Sequence, residues 1–233
     1  MPKYSLNNDF SISPDSEFEG DILTVGGKPT AERVLKAIHA GFFPWYNDPK
    51  TPIWFCPEER CIIPLETFRI SKSVIQSARK YNWKVTFDRA FSEVIHQCST
   101  WNRENETWIL PEIKTAYIEL HNWGHAHSVE VWEDSNLIGG LYGVCVGKIF
   151  SGESMFSMKS NASKFALANL IHFMKMNEFK LLDAQVENAH LMSLGAEIIS
   201  RKAYLDQLRS EVLKNTISEK WEFELNQIQD LRS

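Results

Sequence analysis

The chain has 233 residues, which suits one large domain or a small domain joined to a larger one. Hydrophobic residues make up 43%, enough for a core, and no run of about 18 apolar residues occurs that could cross a membrane as a helix. The formal net charge of -5 argues against a bulk nucleic-acid binder, so any contact with RNA must come from a local basic patch.

Residues 1–28 are polar and turn-rich, and lack the basic region and apolar stretch of a targeting segment, so a soluble, cytoplasmic chain without membrane attachment is expected. Thr30 can cap a short helix carrying Val34, Leu35 and Ile38, stopped by Gly41. Residues 41–64 place Pro44, Pro49, Pro52, Pro57 and Pro64 among aromatics. Proline blocks regular helix and interior strand, so this reads as an ordered, irregular segment at the seam between two domains, 1–64 and 65–233. A basic, helix-compatible stretch follows, with Arg69, Lys72, Arg79, Lys80 and Lys84. Asp88 is placed to cap a helix bearing Phe91, Val94, Ile95 and Cys98, and Pro111 to open another with Ile113, Ala116, Tyr117 and Leu120 on one face and Gly124 after its end. The period then changes to two. Residues 128–133, 137–146 and 149–154 read as strands, with Gly147-Lys148 as a hairpin turn. Asn161 is placed to cap a helix striped by Leu167, Leu170, Ile171 and Met174; residues 181–186 read as a buried strand, Tyr204 to Val212 as a late helix, and the rest to Ser233 as a polar tail. Helices, then an antiparallel meander, then helix and strand predict an α/β (α+β) fold with a mixed sheet, in an order like the second half of the acetyltransferase (GNAT) fold.

Few of these residues declare chemistry. Cys56, Cys61, Cys98 and Cys145 have no CxxC spacing and read as reduced, mostly buried thiols. His121, His125 and His127 cluster, but Gly124 interrupts a shared helical face and no Cys or paired acidic ligand is near, so a structural or surface role is expected over a metal site. There is no GxSxG elbow, phosphate loop or HExxH. Gly139, Gly140, Gly143 and Gly147 lie in strand segments, where glycine marks a bulge or a close approach; packing and ligand readings are equally open. Asp183 and Gln185 alternate on LLDAQV and would share one face, needing partners there, and Glu153 is a carboxylate near the end of a strand.

Together the segments GFFPWY, PIWFCPEER, TWI (107–109), AYIELHNWGHAHSVEVW, GGLYGVCVGKIFSGESMFS, NASKFAL, LLDAQV and HLMSLGAEIISR resemble the bacterial leucyl/phenylalanyl-tRNA–protein transferase family, in order from Gly41 to Arg201. The resemblance implies transfer of Leu, Phe or, less readily, Met from aminoacyl-tRNA to proteins beginning with Lys or Arg, which feeds them to N-end-rule degradation. It implies a small N-terminal domain plus a GNAT-like C-terminal domain, a monomer, and no metal, nucleotide or coenzyme. The family's Asp-x-Gln strand falls on Asp183 and Gln185 as catalytic residues, and its peptide-site glutamate on Glu153. Its apolar pocket for the amino-acid side chain and terminal adenosine falls on Trp54, Trp108, Leu141, Phe150, Met155, Leu170, Met174 and Leu182. Ala184 stands where Cys is often found and Leu141 where Met is common, so the Leu:Phe:Met preference is open.

The donor ester is already activated, so no ATP is needed. On this reading Gln185 orients the attacking amine, Asp183 accepts from the Gln185 amide, and Glu153 attracts the acceptor's cationic end. The basic residues Arg69, Lys72, Arg79, Lys80 and Lys84 are the candidate contact for the tRNA acceptor stem. Three rivals remain: an acyl-coenzyme A-dependent N-acetyltransferase, against which the missing pyrophosphate loop speaks; a peptidoglycan aminoacyltransferase; and a non-catalytic adaptor for N-terminal residues.

Overall fold

The computed structural model describes residues 3–5, 10, 20–101, 107–212 and 220–222. The expected polar tail therefore lies outside the described residues apart from 220–222, as does most of the segment before Gly20. Two sheets organise the chain. The smaller has the order β1 (Lys3–Ser5), β2 (Ile22–Val25), β4 (Ile53–Cys56), β3 (Phe43–Pro44). The larger has seven strands in the order β11 (Glu197–Ser200), β5 (Glu59–Ile63), β10 (Leu181–Gln185), β9 (Ile149–Ser157), β8 (Asn136–Val146), β7 (Ala126–Glu133), β6 (Lys84–Phe87). Residues 41–64 thus hold three strands where irregular structure was expected. The prolines punctuate them: Pro52 precedes β4, Pro57 separates β4 from β5, Pro64 follows β5, and Pro44 sits on β3, an edge strand that tolerates a missing donor. β5 pairs with β10 and β11, so a seam drawn at residue 64 assigns a strand of the larger sheet to the first unit.

The helices follow their apolar stripes. Thr30 caps α1 (Ala31–His39), accepting from the Arg33 N–H, and Ser71 caps α2 (Lys72–Lys80), accepting from Val74. The basic stretch does not continue as helix to Lys84, which opens β6. Two expected caps are not made by the residues placed for them. Asp88 lies at φ 54 before α3 (Phe91–Thr100), and Glu130 of β7 instead accepts from the Arg89 and Ala90 N–H groups. Asn161 lies at φ 75 before α5 (Ala162–Met176), and Ser157 accepts from the Ser163 N–H. Pro111 does open α4 (Pro111–Asn122), whose buried residues are Ile113, Ala116, Tyr117 and Leu120. The short α6 (Ala189–Ser193) and β11 were not foreseen; α7 (Arg201–Val212) was.

β6 to β9 form an antiparallel meander, and β10 joins β9 in parallel after the α5 crossover. α5 covers one face of this sheet, its Leu167, Leu170 and Met174 buried in a core shared with Phe150 and Leu182. The strand glycines have packing reasons. A methyl group on Gly143 would lie 2.2 Å from the Ser151 carbonyl oxygen and 2.5 Å from the Phe150 ring, and one on Gly139 would lie 2.6 Å from Ala162 of α5. All four cysteines are free and buried. Among the described residues no helix is long and apolar enough to cross a membrane.

Candidate active site

Asp183 is fully buried on β10 beneath five donors. Arg60 of β5 meets it with two parallel bonds, Nε to Oδ1 at 2.8 Å and Nη2 to Oδ2 at 2.6 Å. Tyr204 of α7 donates to Oδ2 at 2.8 Å, Ser151 of β9 at 3.3 Å, and the backbone N–H of Gln185 donates to Oδ1 at 2.9 Å. Burial works against the Arg60 charge, but Asp183 more than offsets it and the pKa of the guanidinium is raised. Burial and the Asp183 carboxylate likewise keep the Tyr204 hydroxyl protonated and donating. Arg60 also donates to the Gly41 carbonyl at 3.1 Å and lies over the rings of Phe43 and Tyr204. One buried ion pair therefore ties β10 to the segment 41–45 and to α7.

Gln185 follows where the β10–β5 register shifts, at φ 65, so Asp183 and Gln185 do not simply alternate on one face. Asp183 accepts from the backbone N–H of Gln185 and not from its side-chain amide, which corrects the expected contact. The amide Nε2 instead donates to Glu153 Oε2 at 3.2 Å and to Ser151 Oγ at 3.5 Å. Glu153 is 8% exposed. Burial pushes its carboxyl up to about 7, against the pull of Gln185 and Tyr117; Asp183 behind it adds to the rise and Arg60 opposes it. Its Oε1 and the Tyr117 hydroxyl are both buried and neither makes a short hydrogen bond, but the hydroxyl lies near enough to pull on the carboxyl.

Gln185 and Glu153 face a cleft of about 290 Å³. Its apolar wall includes six of the eight expected residues: Trp108, Leu141, Phe150, Met155, Leu170 and Leu182. Trp54 and Met174 do not reach it. Trp54 is buried in the smaller sheet, where it donates to the Gly26 carbonyl at 3.0 Å and packs against Phe10; Met174 is buried on α5. Beside Trp108 the cleft has a second tryptophan, Trp45, 49% exposed and joined there by Phe43 and Pro44. It stands in the GFFPWY segment, and an aromatic beside prolines was the available signal. Met155 pairs across strands with Leu141, so both shape one wall. Shortening Met155 to Ala is expected to lower the preference for Leu over Ile by up to about tenfold, because a methylene's worth of contact discriminates by only about 1–3 kcal/mol. Competition between Leu- and Ile-charged donors measures this ratio, and an unchanged ratio would remove Met155 from the wall that reads side-chain shape.

The basic residues spread over three elements. Lys72, Arg79 and Lys80 are exposed on α2, Lys84 is exposed on β6, and Arg69 precedes the helix with its guanidinium folded onto the Glu66 and Phe68 carbonyls. The histidines take structural roles in two cases. His127 Nδ1 pairs with Asp88 Oδ2 at 2.7 Å and stacks on Trp221, and His121 Nδ1 bonds the Ala126 carbonyl at 2.8 Å. Among the described residues no cluster of His, Cys, Asp or Glu could hold a metal ion.

An apolar cleft ending at an amide and a carboxyl that titrates near neutrality suits transfer of an apolar acyl group to a polar nucleophile. A sequence model described as leucyl/phenylalanyl-tRNA protein transferase matches residues 62–209, and one for the N-terminal domain of that enzyme matches residues 27–58. A protein named leucyl/phenylalanyl-tRNA–protein transferase from Hydrogenovibrio crunogenus is 44% identical over 207 residues, covering 88% of this chain and 81% of that protein. One of the same name from Syntrophobacter fumaroxidans is 44% identical over 228 residues, covering 96% and 97%. A solved structure of a conserved protein from Staphylococcus epidermidis overlays with a TM-score of 0.43 at 9% identity, over 78% of this chain and 69% of that one, which is too distant to bear on fold or function. The chain belongs to the leucyl/phenylalanyl-tRNA–protein transferase family.

Proposed function

We propose that the protein transfers Leu, Phe and, less readily, Met from aminoacyl-tRNA to the N-terminal Lys or Arg of acceptor proteins, marking them for N-end-rule degradation, and that it does so in the cytoplasm as a monomer. The cleft that ends at Gln185 and Glu153 carries this reading, because its apolar wall fits such side chains and its polar end lies where an acyl carbonyl would be. The ester bond supplies the driving force, and the protein positions the partners. Gln185 orients the acceptor amine, Glu153 attracts the acceptor's cationic end, and Asp183 acts beneath them as a positioning residue, since its oxygens are occupied by protein donors. Trp45 and Trp108, which both line the cleft, offer aromatic faces on which the terminal adenosine would stack. We read residues 59–212 as a GNAT-like body, supported by the meander β6–β9 and the parallel β9–β10 pair across α5, with a small N-terminal unit ahead of it that ends between Cys56 and Glu59.

The direct test mixes purified protein with radiolabelled Leu-tRNA and an Arg-initiated acceptor, without ATP. Label in acid-insoluble protein is expected; no transfer by folded protein, with the tRNA still charged, would overturn the reading in favour of an adaptor. The exposed α2 cations are proposed to meet acceptor-stem phosphates. Replacing Arg79 and Lys80 together by Gln is expected to weaken tRNA binding and to flatten the slope of log K against log salt by about 0.7–0.9 per lost contact. An unchanged slope by filter binding would make α2 a solvated face.

A further inference from the structure

The two groups at the polar end of the cleft differ in what they can do with a proton. A neutral amide oxygen accepts a hydrogen bond but does not hold a proton. Gln185 also spends its Nε2 on Glu153 and Ser151, which turns its carbonyl oxygen away from that carboxylate. Glu153 presents the complementary chemistry. Its Oε2 is held by Gln185, and its buried Oε1 has no short hydrogen bond. Glu153 is the one carboxyl among the described residues that line the cleft, and a buried carboxyl held by so few donors is costly to maintain without a role. The Tyr117 hydroxyl of α4 lies against the same carboxyl and pulls its pKa down, with Tyr142 of β8 beyond it at 5.5 Å between ring centroids.

We infer that Glu153 is the catalytic proton acceptor of the transfer, taking a proton from the attacking amine and returning it to the leaving ribose oxygen, with Gln185 aiming the amine and holding the carboxylate in place. This rests on the proposed transfer reaction and assigns its proton path. The amine nitrogen forms a bond to the ester carbonyl carbon, and the carbonyl electron pair moves to oxygen. The N–H proton passes to Glu153. When the carbonyl re-forms, the bond to the ribose 3′-oxygen breaks and that oxygen takes the proton back. The products are the new amide and the free tRNA 3′-hydroxyl, and Glu153 ends as it began.

A carboxyl held near 7 is matched to this task, since an α-amine of pKa about 7.7–8.0 must shed a proton near neutral pH. The groups around it are Asp183 and Gln185 on β10, Arg60 on β5, Tyr117 on α4, Tyr142 on β8 and His190 on α6, which lines the same cleft. Of these His190 is the other group that could take a proton, and its pKa is lowered by partial burial and by Lys164.

The test compares the full-length wild type with Glu153→Gln, using Leu-tRNA and two acceptors: an Arg-initiated peptide and its analogue with an aminooxy group for the α-amine, whose conjugate acid is far stronger than an ammonium. With the aminooxy acceptor the amine no longer titrates near neutrality, so wild-type kcat/KM should still rise with pH through about 7. In Glu153→Gln kcat should fall by about 10²–10⁴-fold, on top of the rise in KM for the peptide that loss of the charge brings, and the rise with pH should vanish. Glu153→Ala should regain transfer with added formate and not with chloride. A Glu153→Gln enzyme that keeps its kcat and only raises KM for the Arg peptide would overturn the inference and leave Glu153 a cation-binding group. So would an acid limb that survives in Glu153→Gln and disappears in His190→Gln. Absence of transfer by the wild type would sink the reaction itself, a different failure.

Discussion

Replacing Arg60 with Met should cost about 3–5 kcal/mol of stability, because it strands the Asp183 carboxylate in a site with 0% exposure. A domain stable by about 5–15 kcal/mol would lose much of its margin, and the melting midpoint should fall accordingly. The loss is larger than an ion pair's net worth because desolvation, already met by both partners, would be left uncompensated on one. Replacing both residues, Arg60→Met with Asp183→Leu, should therefore recover much of the stability that the single change removes. Activity should not recover. The Gln185 backbone N–H would lose its 2.9 Å bond to Asp183, and the segment 41–45 would lose its 3.1 Å anchor at the Gly41 carbonyl. Thermal unfolding and transfer assays on the three variants check this. A single Arg60→Met variant that melts with the wild type would show that the pair contributes nothing to the fold, and a fully active double variant would show that it does not position the site.

That pair also marks the limit of what could be read from the sequence. Local rules located most elements, because α1, α4 and the β8–β9 hairpin carry their signals within a few residues: Thr30, Pro111 and Gly147. The same rules placed the wrong residue at two helix starts. Asp88 and Asn161 are of the capping type and stand close to the right position. Each is spent elsewhere, Asp88 on His127, Ser128 and Trp221 and Asn161 on Ser77 of α2; Ser157 accepts from the first turn of α5, while Glu130 holds only the residues just ahead of α3. The helix starts were legible and the bonds made there were not. The strands β3 to β5 were hidden because their prolines were read as breakers and not as boundaries. At the site, the resemblance singles out Asp183, Gln185 and Glu153, which the structure brings together, and six of the eight pocket residues it implies line one cleft. Arg60 carries no local signal of its role, although its segment, PIWFCPEER, is itself part of the resemblance. Its partner lies 123 residues away, a distance that no local pattern spans. The clue was there in another form, since an aspartate in a core strand requires a cation or several donors.

Gln185→Gly separates the needs of the fold from those of the reaction. Gln185 sits at φ 65, a left-handed conformation that strains a side-chain-bearing residue and not a glycine. The bond from its backbone N–H to Asp183 survives the substitution. Relief of that strain should offset the extra unfolded-state entropy of glycine, about 0.5–1 kcal/mol, so the melting midpoint should hold or rise. Transfer should nonetheless slow by about 10²–10³-fold, the usual effect of deleting one pre-aimed polar group from an active site. Part of the loss is indirect, because Glu153 would give up its 3.2 Å bond from Nε2, one of the interactions holding its pKa down. The Glu153 carboxyl should therefore titrate higher in this variant, and the acid limb of kcat/KM should move toward higher pH. A destabilised Gln185→Gly protein would mean that the side chain supports the fold, and one that transfers at the wild-type rate would leave Gln185 without a part in the reaction. The expected combination, intact stability with lost transfer and a displaced limb, arises only if the strained backbone is kept for the sake of where it points the amide.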